Sequence, residues 1–143
     1  MSSESSATTV WEGDLIGGSG KTLAASGALP EVEVTWKART TRPSEKTSPE
    51  ELLAAAHASC YSMALANGLA EAGSPPERLT TTATVTFVPG EGVKSSNLEV
   101  AGKVPGLQAA AFDEATKVAG EECPISQALK GNVDISVSAT LEG

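Results

Sequence analysis

The chain is short of positive charge, aromatic rings and thiols, and each shortage excludes something. Ten Lys and Arg stand against eighteen Asp and Glu in 143 residues, a net charge of −8. That balance argues against nucleic acid or an anionic membrane as a partner, because both need a basic face. Arginine occurs only at Arg39, Arg42 and Arg78, so any role that needs a guanidinium has few candidates. The aromatics are Trp11, Trp36, Tyr61, Phe87 and Phe112, which leaves a core filled by aliphatic residues and alanine. No apolar run approaches the roughly 18 residues of a membrane-spanning helix. The opening MSSESSATT is polar and lacks the basic-then-apolar pattern of an export signal, so the expected location is cytoplasmic. Thiols stay reduced there, and the two cysteines read as buried packing or redox chemistry rather than a permanent staple. With one histidine and no paired short spacings, the chain makes a poor zinc site.

What is present is organised around one stretch, SPEELLAAAHASCYSMALANGLAEAG, Ser48 to Gly73. Ser48 suits an N-cap, Pro49 the first helical position, and Glu51 completes a Ser-x-x-Glu capping box. Alanine and leucine dominate the remainder of the stretch, and Gly73 with Pro75 and Pro76 stops it. Leu52, Leu53, Ala56, Cys60, Met63 and Ala64 are expected on its buried side. Upstream, Thr8 to Asp14 and Lys21 to Ala25 read as a hairpin, and Glu31 to Ala38 alternates as a third strand. GSGKT is not a phosphate-binding loop: Leu15 occupies the position where that motif requires its first glycine, and no helix comes after it. Downstream, Leu79 to Val88 and Asn97 to Val104 read as a second hairpin. Pro105 to Glu122 reads as a helix with Leu107, Ala110, Ala111, Ala115 and Val118 inward. Pro124 opens another helical turn, and Val133 to Leu141 is a last alternating strand. The order predicts an α+β fold, antiparallel strands in hairpins packed on a long central helix, as a single domain over 8–143 behind a disordered tail of 1–7.

Read locally, the two thiols rank in one order. A cysteine in an Ala-rich helix is usually core, whereas Cys123, just before Pro124, can cap a helix whose free N–H groups favour a thiolate. His57 lies three residues before Cys60, which raises a Cys–His hydrolase reading. A satisfied core imidazole is the blander alternative, and no Asp or Asn orienter is evident.

The run SPEELLAAAHASCYSMAL, with CPISQAL some sixty residues further on, resembles the osmotically inducible protein C / organic hydroperoxide resistance (OsmC/Ohr) superfamily. The likeness extends from Trp11-Glu12-Gly13 to the last strand, and KTSPEEL with His57 is closer to the OsmC branch. The resemblance implies an intertwined homodimer and a cysteine-based peroxidase that reduces organic hydroperoxides to alcohols in oxidative or osmotic stress. It implies Cys60 as the peroxidatic thiol and Cys123 as its resolving partner, reversing the local ranking. It matches Glu50 to an active-site glutamate and Arg39, with Arg42 as runner-up, to the arginine that faces the thiolate. It implies no metal or organic cofactor, and an external dithiol reductant, lipoyl-type rather than thioredoxin.

Physical chemistry fits these roles. A thiolate in a helix interior needs a cation beside it, and a guanidinium stays charged whatever its burial. The blander readings leave Glu50 complementing the helix N-terminus and Arg39 solvated on a polar strand face. Ten residues of unbroken helix would put about 15 Å of axial rise between Glu50 and Cys60. Glu50 and Arg39 of one chain would then complete the site around Cys60 of a second copy. The competing class is a non-catalytic thiol redox sensor or structural protein of the same fold.

Overall fold

A computed structural model describes residues 1–41 and 45–143. Arg42, the second candidate arginine, lies outside the described residues. The described chain divides into two compact units, 1–52 and 53–143.

In the first unit, β1 (Ala7–Glu12), β2 (Ser19–Ala24) and β3 (Val32–Val34) form an antiparallel sheet in chain order. β1 begins at Ala7, the last residue of the expected tail. Gly20 faces Trp11 so closely that a Cβ there would meet the ring at 2.8 Å, which fixes glycine at that pairing. The third strand is shorter than its alternation suggests, because it ends at Val34 and Trp36–Thr41 forms a short helix, α1. Thr35 causes the switch: its Oγ1 accepts the Ala38 N–H at 3.0 Å, an N-cap that outcompetes one more turn of pleat. Trp36 and Ala38 therefore keep their apolar spacing but lie on a helix. After 42–44 the chain returns beside β3, where Thr47 donates its N–H to Glu33.

The long helix α2, Pro49–Glu71, is continuous over 23 residues. Ser48 Oγ accepts the Glu51 N–H as expected of the cap, while the Glu51 carboxylate accepts from the Thr47 hydroxyl. At its far end Ser74 N–H bonds to Leu69 O and Gly73 N–H to Ala70 O, with Gly73 at φ 89°. That pair of bonds is a Schellman termination, and the left-handed φ explains the glycine.

The second unit holds the body of α2, then β4 (Arg78–Val88), β5 (Gly92–Lys103), α3 (Ala109–Glu122), α4 (Pro124–Leu129) and β6 (Asp134–Leu141). β4 and β5 form the expected antiparallel hairpin; β6 joins β5 in parallel, after a crossover through α3 and α4. β5 is thus the central strand. One row of it, Ser96, Leu98, Val100 and Gly102, is buried, and Val104 just beyond it continues the row. Tyr61, Leu65 and Leu69 of α2 and Phe112, Ala119 and Cys123 of the α3 region complete that core.

Two expected faces are corrected. On α2 the buried stripe is His57, Tyr61, Leu65 and Leu69, spaced by four, and Met63 is 74% exposed. At about 100° per residue Met63 stands some 200° from Tyr61, so the apolar composition of the helix hid which side faces the sheet. On α3 the inward residues are Phe112, Thr116 and Ala119; Ala110 and Ala111 are exposed and Val118 is 38% exposed. The helix also starts at Ala109 rather than Pro105, because Gly106 at φ 78° turns the chain first. Phe112 abuts β5: a Cβ at Gly102 would fall 2.5 Å from its ring.

Candidate functional site

The second unit brings both cysteines together. Cys123 ends α3, its N–H bonded to Ala119 O, and the same residue caps α4 with Pro124 next. Cys123 is fully buried, whereas Cys60 on α2 is partly exposed, and neither is in a disulfide. The Cys60 thiol lies beside the Cys123 side chain and faces the Ile125 backbone N–H. Ile125 belongs to the first turn of α4, where backbone N–H groups have no partner within the helix. Cys60, inside its own helix, thus faces an N–H of a neighbouring one. The opposing influences are still the stronger. Burial, and then Cys123 beside it, push the Cys60 thiol above its ordinary range, and the Ile125 N–H pulls it back only in part.

The shell around the thiols is polar but neutral. His57 is fully buried, with Nδ1 2.6 Å from Ser96 Oγ on β5 and Nε2 2.8 Å from Ser126 Oγ on α4. Burial lowers its pKa below the usual 6.5, so the ring is neutral near pH 7 and one serine donates to it while the other accepts. With both ring nitrogens taken by serines, His57 is a satisfied core residue and not a base poised on Cys60. Tyr61, next to Cys60, donates its hydroxyl to Thr116 O at 2.8 Å, and burial raises its pKa strongly. Ser96 and Ser126 were not singled out from sequence. Ser96 carries a weak signal, since it stands on the row of Leu98 and Val100, and Ser126 stands within CPIS.

The first unit brings together the other two candidates. Arg39 ends up on α1 and Glu50 in the first turn of α2. Arg39 Nε lies 3.0 Å from both Glu50 oxygens and Nη2 2.9 Å from Oε2. Glu50 is only 3% exposed, and the guanidinium also stands 5.8 Å from the centroid of the Trp36 ring. Arg39 is therefore not on a strand, and Glu50 stands in the first turn of α2 as the blander reading had it while also holding the guanidinium. Beside the pair is a cleft of about 320 Å³ walled by Trp11, Leu15, Val34, Trp36, Leu52 and Arg39. Among the described residues, no group of three or more His, Cys, Asp or Glu is placed to hold a metal. No helix among them is long and apolar enough to cross a membrane.

These features define an α+β protein whose second unit carries two adjacent free thiols at a helix junction and whose first unit carries an Arg–Glu pair with a buried carboxylate. The chain belongs to the OsmC-like protein family, whose model matches residues 42–138. It is 38% identical over 128 residues to peroxiredoxin OsmC of Escherichia coli, covering 87% of this chain and 89% of that protein. Among solved structures, an OsmC-like protein from Mycoplasma pneumoniae superposes with a TM-score of 0.73 at 21% identity, over 100% of both chains. The organic hydroperoxide resistance protein OhrB of Bacillus subtilis gives 0.67 at 22% identity, over 96% of this chain and 98% of that one. Both share the fold.

Proposed function

We propose that this chain is a thiol peroxidase that reduces organic hydroperoxides to alcohols, with Cys60 as nucleophile and Cys123 as resolving thiol, in oxidative or osmotic stress. The carrying observation is the contact between a partly exposed Cys60 and a buried Cys123, with the Ile125 N–H on the former. The Cys60 thiolate attacks the distal peroxide oxygen: an S–O bond forms, the O–O bond breaks, and the alkoxide takes a proton to leave as alcohol. Cys123 then attacks the sulfenic sulfur, forming the disulfide and releasing water once the departing hydroxide is protonated. A dithiol of lipoyl type reopens the disulfide, and no metal or organic cofactor takes part. The relative named a peroxiredoxin supports the reaction class.

The raised pKa of Cys60 supports a further element of the proposal. A thiol made less acidic by burial needs a nearby cation, and Arg39 is the candidate. We assign that cation to a second copy of the chain: in a homodimer, Arg39 oriented by Glu50 of one protomer faces Cys60 of its partner. The continuity of α2 favours this assignment, because Glu50 and Cys60 are ten residues apart on one unbroken helix. The apolar cleft beside Arg39 then takes the alkyl part of the substrate, so cumene hydroperoxide is turned over faster than hydrogen peroxide. Comparable turnover of the two counts against the cleft's role, and full activity in a monomer by gel filtration counts against the dimer. The proposed compartment is the cytosol, where both thiols are held reduced.

The deciding experiment measures organic hydroperoxide consumption with a dithiol reductant for the wild type, Cys60→Ser and Cys123→Ser. Cys60→Ser loses turnover altogether. Cys123→Ser reacts once and leaves a sulfenic acid on Cys60. Oxidation without turnover in the wild type, whatever the dithiol, identifies a redox sensor instead.

A further inference from the structure

His57 takes no part in the peroxidase reaction, yet it is placed where the alignment of the thiols is decided. It precedes Cys60 by three residues, so the two side chains leave α2 on neighbouring parts of one face. Each faces the first turn of α4: Cys60 lies beside the Ile125 N–H, and His57 Nε2 is 2.8 Å from Ser126 Oγ. Ile125 and Ser126 are consecutive, so the two contacts are adjacent cross-links between the same pair of turns. The opposite ring nitrogen is fixed at 2.6 Å to Ser96, on the fully buried row of β5. His57, Ser96 and Ser126 are all 2% exposed or less, so none of these bonds competes with bulk water.

α4 needs such an anchor. It is six residues long, begins directly at the capping Cys123, and of its side chains only Ser126 is fully buried. We infer that His57 is a positioning residue: through Ser126 it holds the first turn of α4 so that the Ile125 N–H and Cys123 both stay on the Cys60 sulfur. This deepens the peroxidase reading and rests on it for its purpose, but the geometry it asserts is testable without any peroxide. The two arms of the bridge are unequal in this role. The Ser126 arm locates the amide beside Cys60, whereas the Ser96 arm fixes the ring to the sheet.

The test uses the whole chain with Cys123→Ser, so that Cys60 is the only thiol, and monitors its alkylation by iodoacetamide against pH. Adding Ser126→Ala frees the α4 turn and weakens the Ile125 contact. A hydrogen bond to a charged acceptor is worth about a factor of ten, so the alkylation midpoint rises by about one pH unit. Ser96→Ala lowers the melting temperature by a comparable amount but moves the midpoint much less. Should Ser126→Ala fail to fold, His57→Gln is read in the same way and also raises the midpoint. An unchanged midpoint in Ser126→Ala, or an equal shift in Ser96→Ala, overturns the assignment. Because no hydroperoxide is used, a wild type inactive as a peroxidase sinks the peroxidase reading and leaves this outcome standing.

Discussion

The two units keep polar groups out of water by opposite means. In 53–143, a continuous apolar core surrounds neutral bridges: His57 between two serines, and Tyr61 on a backbone carbonyl. In 1–52 the apolar residues lie largely outside, with Val10 60%, Ile16 71% and Leu23 49% exposed, and a buried carboxylate is held by a guanidinium. A neutral bridge within a packed core rigidifies at little electrostatic cost. A buried ion pair gains little net stability but leaves an uncompensated charge if either partner is removed. The second unit is thus built to hold two sulfurs in register. The first offers a fixed cation beside an apolar cleft.

The largest break in this comparison comes from the core. Phe112→Ala removes the fully buried ring that lies on Gly102, and the cost is about 3–5 kcal/mol, enough to unfold many domains of this size. Urea denaturation checks it: the midpoint falls while the slope holds. Arg39→Met comes next. It leaves the Glu50 carboxylate, 4% exposed at its side chain, without its guanidinium. The full penalty for breaking a buried pair is about 3–5 kcal/mol, and partial exposure of Arg39 screens this to about 1–3. Arg39→Met/Glu50→Met removes both charges and recovers part of that loss, which a double-mutant cycle in urea measures. If the single change costs nothing, the charged half of the comparison fails. The same Arg39→Met protein sharpens the dimer proposal as well, since loss of the cation slows Cys60 alkylation near pH 7 by about tenfold.

How far the sequence could be read obeys the same division. The body of α2 was legible because its cap, its Ala-rich interior and its glycine stop all agree; β4 and β6 were legible from strict alternation. Which side of α2 faces the sheet was not, because alanine on every side erases the contrast that marks a stripe, and Met63 was misplaced as a result. The helix at Trp36 was hidden for the converse reason. Val32, Val34, Trp36 and Ala38 keep the period of a strand while the Thr35 cap ends it. The roles proposed for Cys60 and Cys123 rest on the two cysteine motifs together, since local electrostatics ranked the thiols the other way. The Ile125 contact could not be read at all: it is a backbone group brought to Cys60 by the crossover between β5 and β6. Ser96 and Ser126 carried at most a weak signal for a related reason, because hydroxyls are common and only tertiary folding gives these two a shared imidazole.

The smallest effect isolates the neutral bridge. Burial holds the His57 pKa below 6.5, so as pH falls through that value the unfolded chain takes up a proton that the folded chain refuses. The unfolded state then binds more protons, and stability falls with pH, by up to about 1.4 kcal/mol per pH unit, until the folded imidazole titrates too. Above pH 6.5 the contribution is fully present. Carboxylates titrate in the same experiment, but they are common to wild type and His57→Gln and cancel in the difference between them. Urea midpoints at pH 7.5 and 5.5 are therefore compared for both proteins. The bridge makes the wild type the more stable of the two at pH 7.5, and the gap narrows by about 1 kcal/mol at pH 5.5. A gap that widens at pH 5.5 instead would mean that His57 already carries a proton when folded. The second unit would then hold a buried charge much as the first does, and the contrast between them would lose its basis.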